Sequence, residues 1–339
     1  MKTREKNSTA LVISGGGAMG AFAVGVIKHI YMKYRDKGWF SIVGGASTGA
    51  LMAPFAALLG ASSPETSQKA MELLIEQYSG VATEDILEKK NPIDFLKYRG
   101  SLFRSTPLRK RLEGAFSQSF FECLNRTDTP HCYVVYTNFR TGALVTASPR
   151  DPGMSRERFI DAMIASASVP IVMEPTVIDG DDCYDGGTRD VIPVSRAIDL
   201  GAETILPIVL SADITGDSTG RFRRLDKVLS RTLAIMIDEM WRNDLQTAKL
   251  VNTAIRAKQN ILQILASRPF MKRKIQAVFE AEEYRSLFGP EKRLVRIIDG
   301  LHPDKTLTDN SMQFKPSQMQ GWIELGEEKA ASVLKESPF

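Results

Sequence analysis

The sequence predicts a layered α/β protein in which parallel strands form the front of a central sheet. Two short apolar runs, Ala10–Ser14 and Ser41–Ala46, are each followed by a glycine-containing turn and then by an apolar segment of helical length. A buried strand, a turn and a helix, repeated in that order, are typical of parallel sheets covered by helices. A further apolar run, Thr204–Ser211, adds another buried strand.

The other elements follow from the same patterns in chain order. The first glycines open onto a helix over Ala18–Tyr34, and the second turn opens onto a helix over Ala50–Gly60. Two β-like runs on either side of Arg140-Thr141-Gly142 predict a hairpin. The remaining predicted elements are a helical excursion or lid over Pro64–Cys123, hairpin strands over His131–Phe139 and Ala143–Ser148, a helix over Phe159–Ser168, helices over Arg221–Ala281 and a last helix over Trp322–Leu334.

The bulk composition limits the classes of function. A chain of 339 residues with 43% hydrophobic content can bury one large domain or two ordinary ones. Its formal net charge of +4 is far below that of a dedicated nucleic-acid binder, so no nucleic-acid partner is expected. Three cysteines, Cys123, Cys132 and Cys183, lack the spacing of a zinc site and favour a reducing compartment. The oligomeric state does not follow from the sequence.

Membrane insertion is not expected. The apolar run before the first glycines has about five residues, too few for a secretory signal, and no apolar stretch reaches the roughly 18 residues that a membrane span needs. The chain is therefore expected in the cytoplasm, with peripheral membrane contact at most. The basic clusters Arg221–Arg224 and Lys272–Lys274 are typical of a solvated helix face, and docking to an anionic membrane is the alternative interpretation.

Gly45-Ala46-Ser47-Thr48-Gly49 matches the pattern G-x-S-x-G between a predicted strand and a predicted helix. In that setting a sharp turn exposes the serine hydroxyl at the edge of the sheet, where it can act as a nucleophile. The glycines are needed because side chains would crowd the turn. A glycine turn with a capping serine is the simpler interpretation of the same pattern.

A second glycine site, Gly15-Gly16-Gly17-Ala18-Met19-Gly20, lies at the end of the first strand. Backbone N–H groups and a helix N-terminus meet there, so the loop favours negative charge. It could hold a dinucleotide pyrophosphate or form an oxyanion hole for acyl transfer. A dinucleotide site requires an acidic residue after the second strand, whereas that strand ends in the Ser47 turn, which favours acyl transfer.

The third motif is Asp185-Gly186-Gly187. A carboxylate beside a serine hydroxyl can accept the serine proton when burial raises the carboxyl pKa. Alone, the tripeptide is a weak signal and favours a simple turn, because Asp-Gly is a common turn sequence. The order of the three motifs, with Ala167-Ser168-Val169-Pro170 just before the aspartate, makes their combination much more specific than any one of them.

These three motifs resemble the signature of the patatin-like phospholipase family over residues 9–210. The resemblance implies a three-layer α/β/α fold with a mostly parallel sheet, and hydrolysis of lipid acyl esters by a Ser-Asp dyad without histidine. It implies Ser47 as nucleophile and Asp185 as base. The oxyanion hole would come from the backbone amides of Gly15, Gly16, Gly17, Ala18, Gly20 and Thr48, with support from Gly45, Gly49, Gly186 and Gly187.

The sequence departs from the family at Met19, where members usually have Arg or Lys. The oxyanion hole is expected to survive because backbone donors do not depend on that cation. The predicted organisation is a catalytic domain over residues 9–210 and a mainly helical extension over residues 211–339 that packs on it. The expected partner is a lipid or acyl-ester substrate, and no cofactor or metal is expected, because the carboxylates and histidines lack suitable spacing.

Two alternatives stay open at the level of sequence. Ser47, Asp185 and His302 occur in the chain order of an α/β-hydrolase triad, although His302 lies in a loop-like context that suits an idle residue equally well. A catalytically silent lipid-binding protein on the same fold is the second alternative. Loss of activity on replacing His302 would favour the first, and an unreactive Ser47 would favour the second.

Overall fold

A computed structural model describes residues 8–91, 100–211, 225–288, 294–304, 307 and 311–339. Within these residues, eight strands form the main sheet in the order β11-β10-β1-β2-β5-β9-β8, with β6 also paired to β5. The strands are β1 (Thr9–Ile13), β2 (Ile42–Ala46), β5 (His131–Asn138), β6 (Ala143–Ala147), β8 (Thr176–Ile178), β9 (Asp181–Asp185), β10 (Thr204–Ile208) and β11 (Arg296–Ile297). The five strands β11, β10, β1, β2 and β5 are parallel, and β6, β9 and β8 are antiparallel to their neighbours.

Helices cover both faces of this sheet. Successive side chains of a strand point to opposite faces, and in β1 Leu11 and Ile13 join one core while Ala10 and Val12 join the other. The helices are α1 (Gly20–Tyr34), α2 (Thr48–Leu58), α3 (Pro64–Ser79), α4 (Thr106–Ala115), α5 (Gln118–Asn125), α6 (Arg156–Ala167), α7 (Val194–Asp199), α8 (Leu225–Ile264), α9 (Pro269–Glu280), α10 (Arg285–Phe288) and α11 (Pro316–Val333). The fold is therefore the expected three-layer α/β/α arrangement.

The two outer layers differ in size. The larger core lies on the side of α1, α2, α3, α6 and α11, and the smaller core lies under α7 and the middle of α8. Strands buried on both faces read as continuous apolar runs, which explains why β1 and β10 carry no polar alternation. No helix of the described part is long and apolar enough to cross a membrane.

The segment predicted as a helical excursion or lid, Pro64–Cys123, contains strand as well as helix. Its helices are present, but β3 (Glu88–Lys89) and β4 (Ser101–Arg104) also form a small sheet with β7 (Ile171–Met173). Strand β4 pairs in parallel with β7, a partner about 70 residues later in the chain, so local periodicity could not reveal the pairing. The helical prediction did not include these two strands.

Parts of the chain after residue 211 pack on the same core. Strand β11 extends the main sheet beside β10, and α11 crosses α1 closely. Glycines permit that approach: a Cβ atom on Gly25 would lie 1.8 Å from the carbonyl oxygen of Ile323, and one on Gly326 would lie 2.0 Å from that of Phe22. The first basic cluster noted in the sequence, Arg221–Arg224, lies outside the described residues.

Candidate active site

Ser47 lies at the turn between β2 and α2, as the G-x-S-x-G pattern predicts. Its backbone has φ 53° and ψ −125°, a conformation that non-glycine residues rarely adopt and that costs energy. Close packing explains the flanking glycines: a Cβ atom on Gly45 would lie 2.4 Å from the carbonyl carbon of Gly49, and one on Gly49 would lie 2.2 Å from the carbonyl oxygen of Ile13. The turn is thus held against β1, with the serine at its apex.

Asp185 ends β9 and lies next to Ser47. Its carboxylate lies close to the Ser47 hydroxyl and accepts a hydrogen bond from the backbone N–H of Gly187 at 2.7 Å. Both side chains are largely buried, with Ser47 8% and Asp185 6% exposed. Burial raises the pKa of Asp185 to about 6, and the interactions with Ser47 and Gly187 oppose part of that rise because they favour the charged form. The carboxyl is therefore ionised near neutral pH and basic enough to accept a proton.

Two buried hydrogen bonds fix the backbone of Ser47 and of Asp185, and the sequence does not reveal either bond. The backbone N–H of Ser47 donates to the hydroxyl of Ser166, in the last turn of α6, at 2.9 Å. The N–H of Asp185 donates to the carbonyl oxygen of Ser168 at 2.9 Å. The segment Ser166–Ser168 therefore positions both reactive groups at once. Only Ser168, within Ala167-Ser168-Val169-Pro170, had been singled out from the sequence.

Tyr78 of α3 reinforces the other side of the turn. Its hydroxyl lies 2.5 Å from Oγ1 of Thr48, and complete burial raises the pKa of the phenol to about 12. The glycine at position 20 makes room for this ring, because a Cβ atom there would lie 2.4 Å from Tyr78. Thr48 and Gly20 thus act through packing behind the nucleophile.

The glycine loop lies directly beside the nucleophile, since a Cβ atom on Gly15 would lie 3.1 Å from the Ser47 Cβ. Several of its amides are already engaged. Gly15 donates to the Val191 carbonyl oxygen at 3.0 Å, Ala18 donates to the Ser311 carbonyl oxygen at 2.8 Å, and Gly20 donates to carbonyl oxygens of its own turn. Within the described part of the chain, the N–H groups of Gly16 and Gly17 have no acceptor.

A cleft with an empty volume of about 700 Å³, part of it open to solvent, lies over this group. Gly15–Gly17, Ser47 and Asp185 form its polar end, and Gly187 and Thr188 border them. The other walls come from α8, from the loop before β7 and from the segment before α11. Their apolar side chains are Val169, Val191, Met236, Ile237, Met240 and Met312. A short polar floor under apolar walls suits a ligand with one polar group on a long apolar chain.

The other residues considered from sequence lie elsewhere. His302 packs near Trp241 with ring centroids 6.2 Å apart, its Nδ1 lies 3.2 Å from the Pro303 carbonyl oxygen, and it is not part of the cleft wall. The three cysteines are unpaired. Among the residues that can be described, no group of three His, Cys, Asp or Glu side chains could hold a metal ion.

Comparisons with known proteins agree with the motifs. The sequence model of the family described as patatin-like phospholipase matches residues 11–198. Patatin-like phospholipase domain-containing protein 6 from Mus musculus, Pongo abelii and Homo sapiens is in each case 28% identical over 216 residues. The match covers 63% of this chain but 14% of each relative. The crystal structure of VipD from Legionella pneumophila aligns with 97% of this chain and 66% of its own length, at 13% identity and a TM-score of 0.44.

Proposed function

The chain belongs to the patatin-like phospholipase family, and from that premise we propose that it is a serine acyl hydrolase that cleaves lipid esters. One observation carries the proposal: the Ser47 hydroxyl lies beside the buried Asp185 carboxylate at the floor of an apolar cleft. A serine on a strained turn, with a base in contact and unengaged amides beside it, is the arrangement that acyl transfer requires.

The proposed reaction has two steps. In acylation the Ser47 oxygen attacks the ester carbonyl while its proton passes to Asp185, and the tetrahedral intermediate then collapses as Asp185 returns that proton to the departing alcohol. In deacylation a water molecule gives a proton to Asp185 and attacks the acyl-enzyme, and the same proton restores the Ser47 hydroxyl as the carboxylic acid leaves. A single buried carboxylate serves both steps because its pKa of about 6 suits it to accept and to donate.

Gly16 and Gly17 are the proposed core of the oxyanion hole. Both residues line the cleft that Ser47 also lines, and their N–H groups are not used by other acceptors of the described chain. Thr48 stays a candidate third donor because it follows Ser47 at the N-terminus of α2. Gly15, Ala18 and Gly20 instead hold the shape of the loop through the bonds that they already make.

The proposed substrate is an ester with a long acyl chain. The three methionines Met236, Met240 and Met312 give the cleft flexible apolar walls, which adapt to chains of different shape. Met19, at the position where the family usually has a cation, packs partly buried against the larger core. It supplies no charge near the loop, so no requirement for an anionic head group arises there.

The test is hydrolysis of a panel of p-nitrophenyl esters and phospholipids, with EDTA present, by wild type, Ser47→Ala, Asp185→Asn and His302→Ala. We expect the first two variants to lose at least about 10³-fold in kcat with an unchanged fold, and His302→Ala to keep most activity. Labelling of wild type by a fluorophosphonate, lost in Ser47→Ala, would identify the nucleophile. An unreactive Ser47 would support the silent lipid-binding alternative, and dependence on His302 would support the triad.

A further inference from the structure

Helices α8 and α9 present large apolar side chains to solvent. The exposed fractions are 77% for Ile264, 69% for Phe270, 51% for Val278, 47% for Met271 and 40% for Ile261. Helix α9 has no buried residue at all. Single exposed apolar residues are ordinary on a protein surface, but a group of them on adjoining helices marks a surface that binds something.

On α9 the exposed large apolar residues lie on one helix face. Phe270, Lys274 and Val278 follow each other at intervals of four, and the Lys274 ammonium lies 4.7 Å from the centroid of the Phe270 ring. The inner face is different, because Phe279 packs there against Phe288 with ring centroids 4.8 Å apart. The outer face of α9 is therefore apolar with a cation at its centre.

On α8 the exposed apolar residues form a stripe that leads to the cleft. At 3.6 residues per turn, Ile235, Met236, Leu250, Ile261 and Ile264 fall within an arc of about 100°. Met236 also lines the cleft over Ser47, and Ile264 lies about 42 Å further along the helix. The apolar stripe of α8 thus begins at the cleft and ends at the C-terminal end of the helix, which α9 follows in the chain.

This part of the chain is strongly basic. Residues 245–279 contain seven Lys and Arg residues and no Asp or Glu, whereas the whole chain has a net charge of only +4. Of these cations, Lys274 lies within the exposed apolar face of α9 and Arg273 is exposed beside it. Cations interleaved with exposed Phe, Ile and Met on a helix match a lipid surface with anionic head groups, since both charge and apolar chain find a counterpart there.

We propose that this face, formed by Ile261, Ile264, Phe270, Met271, Lys274 and Val278, docks on anionic lipid surfaces and presents the cleft to them. The proposal rests on the proposed function, because docking would bring lipid substrate to the cleft. Binding to a lipid surface does not itself require catalysis. Nucleic acid would match the charge and leave the apolar side chains exposed. A second copy of this chain would bring two basic faces together, which disfavours it.

The test uses the full-length Ser47→Ala protein, which binds without turning over lipid. Flotation with vesicles of phosphatidylcholine alone and of phosphatidylcholine with 30% phosphatidylglycerol, at low and high salt, measures partitioning. We expect binding to the anionic vesicles that weakens with salt. Arg273→Glu with Lys274→Glu should reduce it at least tenfold, since each basic residue near such a surface contributes about fivefold. Ile264→Ser with Phe270→Ser should reduce it by a similar factor.

Matched controls separate position from composition. Lys110→Glu with Lys335→Glu makes the same charge change on exposed residues elsewhere, and Met32→Ser removes an apolar side chain that is 75% exposed on α1. Both controls should bind like the parent. Equal loss in controls and test variants, or no binding to the anionic vesicles, would overturn the proposal, as would a dimer in sedimentation that the Ile264→Ser and Phe270→Ser changes dissociate.

In the Ser47-containing protein, hydrolysis of a soluble ester should be unaffected by the face variants, so failure of docking and failure of the proposed function are distinguishable.

Discussion

The carboxyl group of Asp185 illustrates how much a single residue depends on its surroundings. In water an aspartic acid ionises near pH 4, but burial in the cleft floor raises its pKa to about 6. As the proposed base, Asp185 must be deprotonated to accept the serine proton. Activity should therefore decline as pH falls through the raised pKa, well above the range of an exposed aspartate.

We expect kcat/KM for a soluble p-nitrophenyl ester to be level above about pH 7 and to fall roughly tenfold per pH unit below about pH 6. The measurement is a pH–rate profile from pH 4.5 to 8, with circular dichroism at each pH to show that the fold persists. A limb that begins only below pH 4 would mean that Asp185 ionises as it would in water and would contradict the proposed environment.

Residues differ in how readily the sequence reveals them. Close packing requires glycine at Gly45 and Gly49, beside Ser47, and at Gly186, beside Asp185. Each of the two reactive residues therefore lies in a local motif that the sequence shows. Ser166 leaves none, because its role arises from a hydrogen bond to a residue 119 positions earlier. Whether these residues catalyse the reaction stays a prediction until the variants are assayed.

Elements near the site were predictable where their patterns are local. The hairpin expected over His131–Phe139 and Ala143–Ser148 is confirmed as β5 and β6, with Gly142 at φ 70° in its turn. The sheet formed by β3, β4 and β7 was not predictable, because its short strands are defined by partners distant in the chain. The same holds for the crossing of α1 and α11.

The last turn of α6 supports the Ser47 turn, and replacing Ser166 in it tests how much that support matters. Ser166→Ala removes the acceptor of the buried Ser47 N–H, which should destabilise the protein by about 1–3 kcal/mol. A small displacement of the nucleophile should also lower kcat roughly 10- to 100-fold with little change in KM. Thermal unfolding and steady-state kinetics measure the two effects.

Ser168→Ala is the matched control for Ser166→Ala. Ser168 is equally buried, but its hydroxyl donates to the Ile164 carbonyl oxygen of α6 and not to a group of the Ser47 turn. Its side chain does not touch the nucleophile, so kcat should stay near that of wild type. Similar losses of kcat in the two variants would show that α6 acts by general packing, and Ser166 would then have no positioning role.

At the scale of the whole molecule, α8 connects the cleft, the smaller core and the basic face. Leu245 is buried in the smaller core, and Met236 and Met240 line the cleft on the same helix. Next to Leu245, Asp244 shares a hydrogen bond with Asp190, which belongs to the segment after Asp185. A partly buried pair of carboxyl groups thus lies where α8 packs on the segment that follows Asp185.

The Asp190–Asp244 pair makes the free energy of unfolding depend on pH. Burial, followed by repulsion from Asp190, raises the pKa of Asp244 to about 7. Between about pH 4 and 7 the folded protein therefore holds a proton that the unfolded chain has released, so the free energy of unfolding falls as pH rises through this range. The side chain introduced by Asp244→Asn cannot ionise, so the change should remove the contribution of Asp244 to this dependence, while Asp185, whose pKa is also raised, keeps its own.

We expect Asp244→Asn to match wild type near pH 4 and to exceed it in stability at pH 8 by roughly 1 kcal/mol, a value discounted for the partial exposure of the group. For a protein of this size the difference corresponds to a melting temperature higher by about 1–2 °C. Glu239→Gln, which neutralises an exposed carboxylate on the same helix, is the control and should show no such pH-dependent gain. If the two variants respond alike, net charge rather than the Asp190–Asp244 contact governs the pH dependence, and α8 is then held by its apolar contacts alone.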